Sequence, residues 1–131
     1  MGQARILIVD DDPDITEAMK VVLETEGYTV YTAKDKEDGM EQLKTTKLDL
    51  IILDVIMNGG RDGFVLSREL KQDAKYKHIP ILMVTAVREK TGIDFKSAAG
   101  DETWLPVEDF LDKPVKPEVL LKKVKGLLYE L

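Results

Sequence analysis

The chain reads as an α/β domain in which helices cover both faces of a parallel sheet, and three observations predict it. Short apolar runs alternate with segments of helical period five times over. Runs 1, 3 and 4 are apolar on consecutive residues instead of every second one, the mark of strands buried on both faces. The length, 131 residues, suits one compact domain that buries roughly two-thirds of the surface its unfolded chain exposes. A single domain over 1–131 is expected.

The elements follow in order. Residues 5–9, Arg-Ile-Leu-Ile-Val, form a β-branched first strand. Asp12 can cap the helix that follows, with Pro13 at its first position, where the missing N–H costs nothing. Ile15, Ala18, Met19 and Val22 recur at helical spacing, and Gly27 is a natural stop. Residues 29–33 give a second strand. Asp35 can cap a second helix that turns Met40 and Leu43 inward. Residues 49–53 are the third strand, and Asp62-Gly63 precede a third helix carrying Phe64, Ser67 and Leu70. Residues 80–84 are the fourth strand. From 88 to 106 runs a polar stretch with Gly92, Gly100 and Pro106 and no clean helical period; a segment that long in a compact domain is often functional. Residues 107–111 make a weaker fifth strand. Pro117-Glu118 open the last helix, whose stripe of Leu120, Leu121, Val124, Leu127 and Leu128 is read as core packing.

Composition removes several classes of function. With no cysteine, disulfides, thiolate metal sites and cysteine nucleophiles are excluded. A formal charge of -6 disfavours nonspecific nucleic-acid binding, and no basic stretch suggests DNA recognition, so no direct nucleic-acid partner is expected. No apolar run approaches the roughly 20 residues that span a bilayer. The N-terminus leads directly into the first strand without a signal-peptide pattern, so a cytoplasmic protein with no membrane partner is expected. The lone histidine, His78, reads as an exposed loop residue.

Right-handed crossovers in a parallel sheet bring every strand's carboxyl end to one edge, where ligands bind. Run 1 ends in Asp10-Asp11-Asp12, run 3 in Asp54, run 4 in Thr85-Ala86 and run 5 in Asp112-Lys113-Pro114. Run 2 has no acid at its end, which suits a strand lying to one side. Carboxylates gathered at one edge repel unless a cation sits among them, and Mg²⁺ prefers carboxylate oxygen and water. Lys113 adds an ammonium and Thr85 a hydroxyl. Such a set suits phosphoryl transfer, where positioning and charge neutralisation carry the reaction and a carboxylate can be the nucleophile. Asp54, on a central strand, is the candidate. Taken singly the residues say little: Asp12 is best explained as a helix cap, Asp54 alone could end a turn, and Lys113 alone could be a surface lysine. Asp10 and Asp11 resist a structural reading, because two buried like charges are costly unless paired.

Four segments, ILIVDDDPDI, DLIILDVIM around Asp54, MVTA ending at Ala86 and DFLDKPV around Lys113, occur in the order found in response regulator receiver domains, and the chain resembles that family over nearly its whole length. The resemblance implies a flavodoxin-like three-layer sandwich: a five-stranded parallel sheet in the order 2-1-3-4-5 with five helices. It implies that Asp54 is the phosphoacceptor, that Asp11 binds Mg²⁺ directly and Asp10 mostly through water, and that the backbone carbonyl of Ile56 is a further ligand. The apolar Ile56 side chain would stand near the phosphoryl group and hinder hydrolytic water. Thr85 resembles the switch hydroxyl and Phe110 the aromatic that changes rotamer with it. Ala86 is the small residue whose N–H faces the phosphoryl group, Lys113 the phosphate-binding lysine, and Pro114 the family's cis-proline position. The implied role is a switch and not an enzyme in the ordinary sense. A sensor histidine kinase or a phosphotransfer protein donates, and the face made by the fourth helix, fifth strand and last helix responds. That face contacts a downstream protein, a fused output domain or a second, phosphorylated copy. Since the last helix runs to the chain end, the chain is expected to be either a stand-alone receiver or an excised one.

The chain departs from the family pattern in two places. Asn58 stands where most receivers have proline, with one residue more before Asp62-Gly63, and the Thr85–Lys113 spacing is extended within 88–106. Trp104-Leu105-Pro106 in that extension read as an anchor to the body. Among other classes, a receiver that binds partners without phosphorylation would need a failed Mg²⁺ site. A phosphohydrolase with an Asp nucleophile typically has a second Asp where Ile56 stands. A flavin protein needs a Ser/Thr/Gly phosphate loop where Asp10, Asp11 and Asp12 would repel the phosphate.

Overall fold

The computed structural model describes residues 4–54, 62–85, 109–113 and 115–129. Their elements run β1 (Arg5–Val9), α1 (Pro13–Thr25), β2 (Thr29–Ala33), α2 (Lys36–Thr45), β3 (Leu50–Leu53), α3 (Asp62–Gln72), β4 (Ile81–Thr85), β5 (Asp109–Asp112) and α4 (Pro117–Tyr129). The sheet is five-stranded and parallel, in the order β2-β1-β3-β4-β5, as expected of a flavodoxin-like sandwich. Four of the five expected helices lie among the described residues. The other was expected within 88–106, which lies outside them.

The consecutive apolar runs are explained by the packing. Ile6 to Val9 and Leu50 to Leu53 are all buried, and alternate residues point to opposite faces. Leu7, Val9, Ile51, Leu53, Ile81 and Met83 join Leu43, Leu66 and Leu70 in a core beneath α2 and α3. Ile6, Ile8, Leu50, Ile52, Leu82 and Val84 join Met19, Leu23, Leu120 and Val124 beneath α1 and α4. Each inner strand therefore serves two cores, and the runs Ile6 to Val9, Leu50 to Leu53 and Ile81 to Val84 are apolar at every position.

The helix ends obey the sequence signals. Asp12 accepts hydrogen bonds from the N–H groups of Asp14 and Ile15, and Asp35 accepts from that of Asp38. Both are side-chain caps on otherwise orphaned donors. Gly27 follows α1 at φ 92°, in the left-handed region where an L side chain is strained. The inward face of α1 does not coincide with the apolar spacing of Ile15, Ala18, Met19 and Val22. Thr16, Met19 and Leu23 are the buried residues; Ile15 and Val22 flank them, and Ala18 is exposed. The centre of the stripe is thus i, i+3, i+7 from a threonine, which an apolar count passes over. The last helix buries Leu120 and Val124, with Leu121, Leu127 and Leu128 partly buried against the same core. Among the described residues, no helix is long and apolar enough to cross a membrane.

Candidate functional site

The site is built on backbone register. Val9 pairs with Leu53, so Asp10 and Asp54 are the next residues on adjacent strands. Sheet hydrogen bonding continues one step past both strand ends: the Asp10 N–H donates to the Ala33 carbonyl and the Asp54 N–H to the Val9 carbonyl, each at 3.0 Å. This holds both backbones before any side chain acts. Across the sheet, Thr85 pairs with Asp112, and Lys113 is the next residue on. Residues 103 positions apart in the chain thereby meet at one edge.

Asp10 is 4% exposed and Asp54 6%. Two carboxylates so placed need a counter-charge, because desolvation and mutual repulsion both oppose their ionised forms. Lys113 provides it: its Nζ donates to Asp10 Oδ2 at 3.0 Å and to Asp54 Oδ2 at 3.4 Å. Burial alone would lower the pKa of this ammonium. The hydrogen bond to Asp10 and the negative charges of Asp54 and Asp10 outweigh that, and hold it above its ordinary value. The other oxygen of Asp10, Oδ1, accepts from the Asp12 N–H at 2.9 Å.

Asp11 is exposed at the mouth of the site. Asp10, Asp11 and Asp54 each offer a carboxylate oxygen, and these oxygens lie within 4.8 Å of one another. Oxygen-only donors, two buried and one open to water, fit a hard divalent cation that keeps part of its hydration shell. Asp10 and Asp11 also line a cleft of ≈ 280 Å³ with Thr16, Lys20 and Lys34, on the side of the acidic loop away from Asp54 and Lys113, neither of which lines it. The arrangement supplies two buried carboxylates with an ammonium beside them and a third carboxylate open to water.

Of the residues the sequence singled out, Asp10, Asp11, Asp54 and Lys113 come together. Thr85 closes β4, and Phe110 pairs in register with Met83, two residues before it. Ile56, Ala86, Pro114, the Asn58 loop and Trp104 lie outside the described residues. His78 is exposed, as its loop position suggested. Sequence reading missed two groups that touch the acidic loop, the Asp12 N–H and the Thr16 hydroxyl. A backbone N–H leaves no mark in a sequence, but a lone threonine on an apolar helix face does.

Known proteins resemble this chain closely. The family model of the response regulator receiver domain matches residues 6–125. Protein PilH of Pseudomonas aeruginosa is 34% identical over 128 residues, covering 95% of this chain and 98% of PilH. The phosphate regulon transcriptional regulatory protein PhoB of Escherichia coli is 32% identical over 124 residues, 95% of this chain and 51% of PhoB. The chain thus spans nearly all of the first relative and about half the length of the second. Among solved structures, the chemotaxis response regulator CheY4 of Vibrio cholerae superposes with a TM-score of 0.78 at 32% identity, covering 97% of this chain and 100% of that one. A response regulator receiver domain protein from Methanospirillum hungatei superposes at 0.83 with 27% identity, over 98% and 96%.

Proposed function

This chain belongs to the response regulator receiver domain family, and on that premise we propose how its own residues carry out the phosphoryl-accepting role of such a domain in two-component signalling. Asp54 is the acceptor. The supporting observation is that it is a buried carboxylate directly following the central strand, β3, with Lys113 Nζ 3.4 Å from its Oδ2. An Asp54 oxygen forms a bond to phosphorus while the bond from phosphorus to the donor's leaving atom breaks. With a phosphohistidine donor that atom is an imidazole nitrogen, which keeps the electron pair and takes a proton. The return reaction adds water at phosphorus, releases inorganic phosphate and restores the carboxylate. The chemistry proposed is limited to this self-phosphorylation and dephosphorylation.

Receivers bind Mg²⁺ at an acidic pocket, and here Asp11, Asp10 and Asp54 would hold it, with the Ile56 carbonyl as a further ligand; the ion would neutralise charge on the transferred group. Lys113 neutralises a second part of that charge and orients the phosphoryl oxygens. Thr85 ends β4 at the same sheet edge and is the proposed switch hydroxyl. Phe110, in register two residues back, is the proposed aromatic partner, and the Ala86 N–H is the proposed further donor to the phosphoryl group. Receivers of this kind work with histidine kinases or phosphotransfer proteins, and a partner of that class, acting in the cytoplasm, is proposed here.

The test is intact mass after incubation with a small acyl phosphate, with Mg²⁺ and with a chelator, for the wild type and for Asp54→Asn. One phosphoryl adduct that needs Mg²⁺ and is absent from the variant is the expected result. A wild type that stays unmodified with Mg²⁺, with a kinase donor and with a fluoroberyllate mimic would instead make the chain an interaction module.

A further inference from the structure

We infer that Thr16 is a positioning residue for the divalent-cation site, acting through the backbone of Asp12. This rests on the reading of Asp10, Asp11 and Asp54 as the cation's ligands and adds to it a residue from α1. Thr16 stands on the buried face of the helix, in line with Met19 and Leu23, where burial alone calls for an aliphatic side chain. Its hydroxyl donates to the Asp12 carbonyl at 2.9 Å and lies 3.5 Å from the carbonyl of Asp10. The shorter distance is an ordinary hydrogen bond; the longer is at most a weak electrostatic contact, and the one hydroxyl proton goes to Asp12.

The Asp12 backbone is the link of the arrangement. Its carbonyl receives both the Thr16 N–H, at 3.1 Å, and the Thr16 hydroxyl. Its own N–H donates to Asp10 Oδ1, while Lys113 donates to Asp10 Oδ2. The Asp12 carbonyl and N–H belong to successive peptide groups joined at its Cα (φ -94°, ψ 108°), so a hold on the carbonyl restricts, through those two torsions, the direction from which the N–H meets the Asp10 carboxylate. Asp11 sits between the two held residues, so its backbone is constrained from both sides. Thr16 also lines the solvent cleft beside Asp10 and Asp11. A hydroxyl bonding back to the carbonyl four residues earlier occurs in helices generally and is by itself slightly destabilising there. Here that carbonyl belongs to the residue that orients a site carboxylate, so its loss reaches the ion.

Thr16→Val removes the hydroxyl at nearly constant volume, and Thr16→Ser keeps it. Mg²⁺ and Mn²⁺ affinity are measured by calorimetric titration on the whole chain, with urea unfolding of each metal-free variant alongside. Groups that orient metal ligands typically contribute 10–100-fold in affinity. Because Thr16 acts through a peptide, a roughly tenfold loss is expected for Thr16→Val, with Thr16→Ser within about twofold of wild type. Thr16→Ala replaces Thr16→Val if the latter does not fold, with the same expectation. Equal affinity for wild type and Thr16→Val, whatever the change in urea midpoint, would reduce Thr16 to a packing residue and overturn the inference. A wild type that binds neither ion overturns the cation-site reading itself, and the inference with it.

Discussion

At the scale of single residues, Lys113 governs the site in the absence of metal. Its ammonium lies within ion-pair distance of both Asp10 and Asp54, and in the proposed site it would compete with Mg²⁺ for the same carboxylates. Lys113→Met should therefore bind Mg²⁺ more tightly than the wild type, yet be less stable without it. The destabilisation should reach about 2–3 kcal/mol, below the ~3–5 of a fully enclosed pair because the mouth is open to water. Metal titration and urea unfolding in chelator check both halves. The pH dependence has a definite sign. The folded-state pKa of Lys113 is raised above 10.5, so the stability from its charge is complete below the unfolded value and is lost as pH rises through the folded one. The stability gap between wild type and Lys113→Met in chelator should thus be flat from pH 7 to 9 and narrow only above 10.5. A gap that narrows between pH 7 and 9 would mean that Lys113 is not held as described.

At the scale of elements, caps and packing separate cleanly. Asp12→Ala should cost about 1 kcal/mol of stability through loss of the α1 cap, and Asp12→Asn only a few tenths. Neither removes the backbone N–H that holds Asp10, so Mg²⁺ affinity should hold within about twofold of wild type, against the roughly tenfold loss typical when a ligand's own partner is removed; thermal melts and metal titration read the two effects apart. Gly27→Ala, at φ 92°, should lower stability by about 1 kcal/mol or more in the same melts. The elements themselves were largely legible. Doubly buried strands need consecutive apolar residues, and Asp12, Asp35 and Pro117 mark helix starts by chemistry that acts locally. The centre of the inward face of α1 was not legible: the helical spacing of Ile15, Ala18, Met19 and Val22 counts apolar residues and includes the exposed Ala18, while the buried stripe begins at a hydrogen-bonded threonine. The third strand begins at Leu50 and not at Asp49, whose carboxylate accepts from the Arg5 N–H at 2.8 Å. Such cross-strand bonds depend on register and leave no local signal.

At the scale of the whole molecule, the fold makes a site from residues that carry little meaning apart. Asp10, Asp54, Thr85 and Lys113 share an edge because every strand is parallel and each register brings its end to nearly the same level. That convergence follows from strand order, and the acidic strand ends pointed to it in advance. Less legible was how charge is distributed once the edge forms: that Asp10 has both oxygens engaged, one by Lys113 and one by a backbone N–H, is a property of the assembled site. A global consequence follows. A cation that binds only the folded chain stabilises it by mass action, about 2.7 kcal/mol at a hundredfold excess over the dissociation constant. Mg²⁺ should raise the melting temperature of the wild type, and Asp11→Asn should abolish most of that rise.

The central claim is that the carboxylate of Asp54 becomes an acyl phosphate. Phosphorylation with a small acyl phosphate in Mg²⁺, followed by borohydride reduction and peptide sequencing by mass spectrometry, converts a phosphorylated aspartate to homoserine and so reports its position. Homoserine at position 54, absent when Mg²⁺ is chelated, is the predicted result. Homoserine at Asp10 or Asp11, or at no position while the protein remains folded and Mg²⁺-bound, would contradict the account.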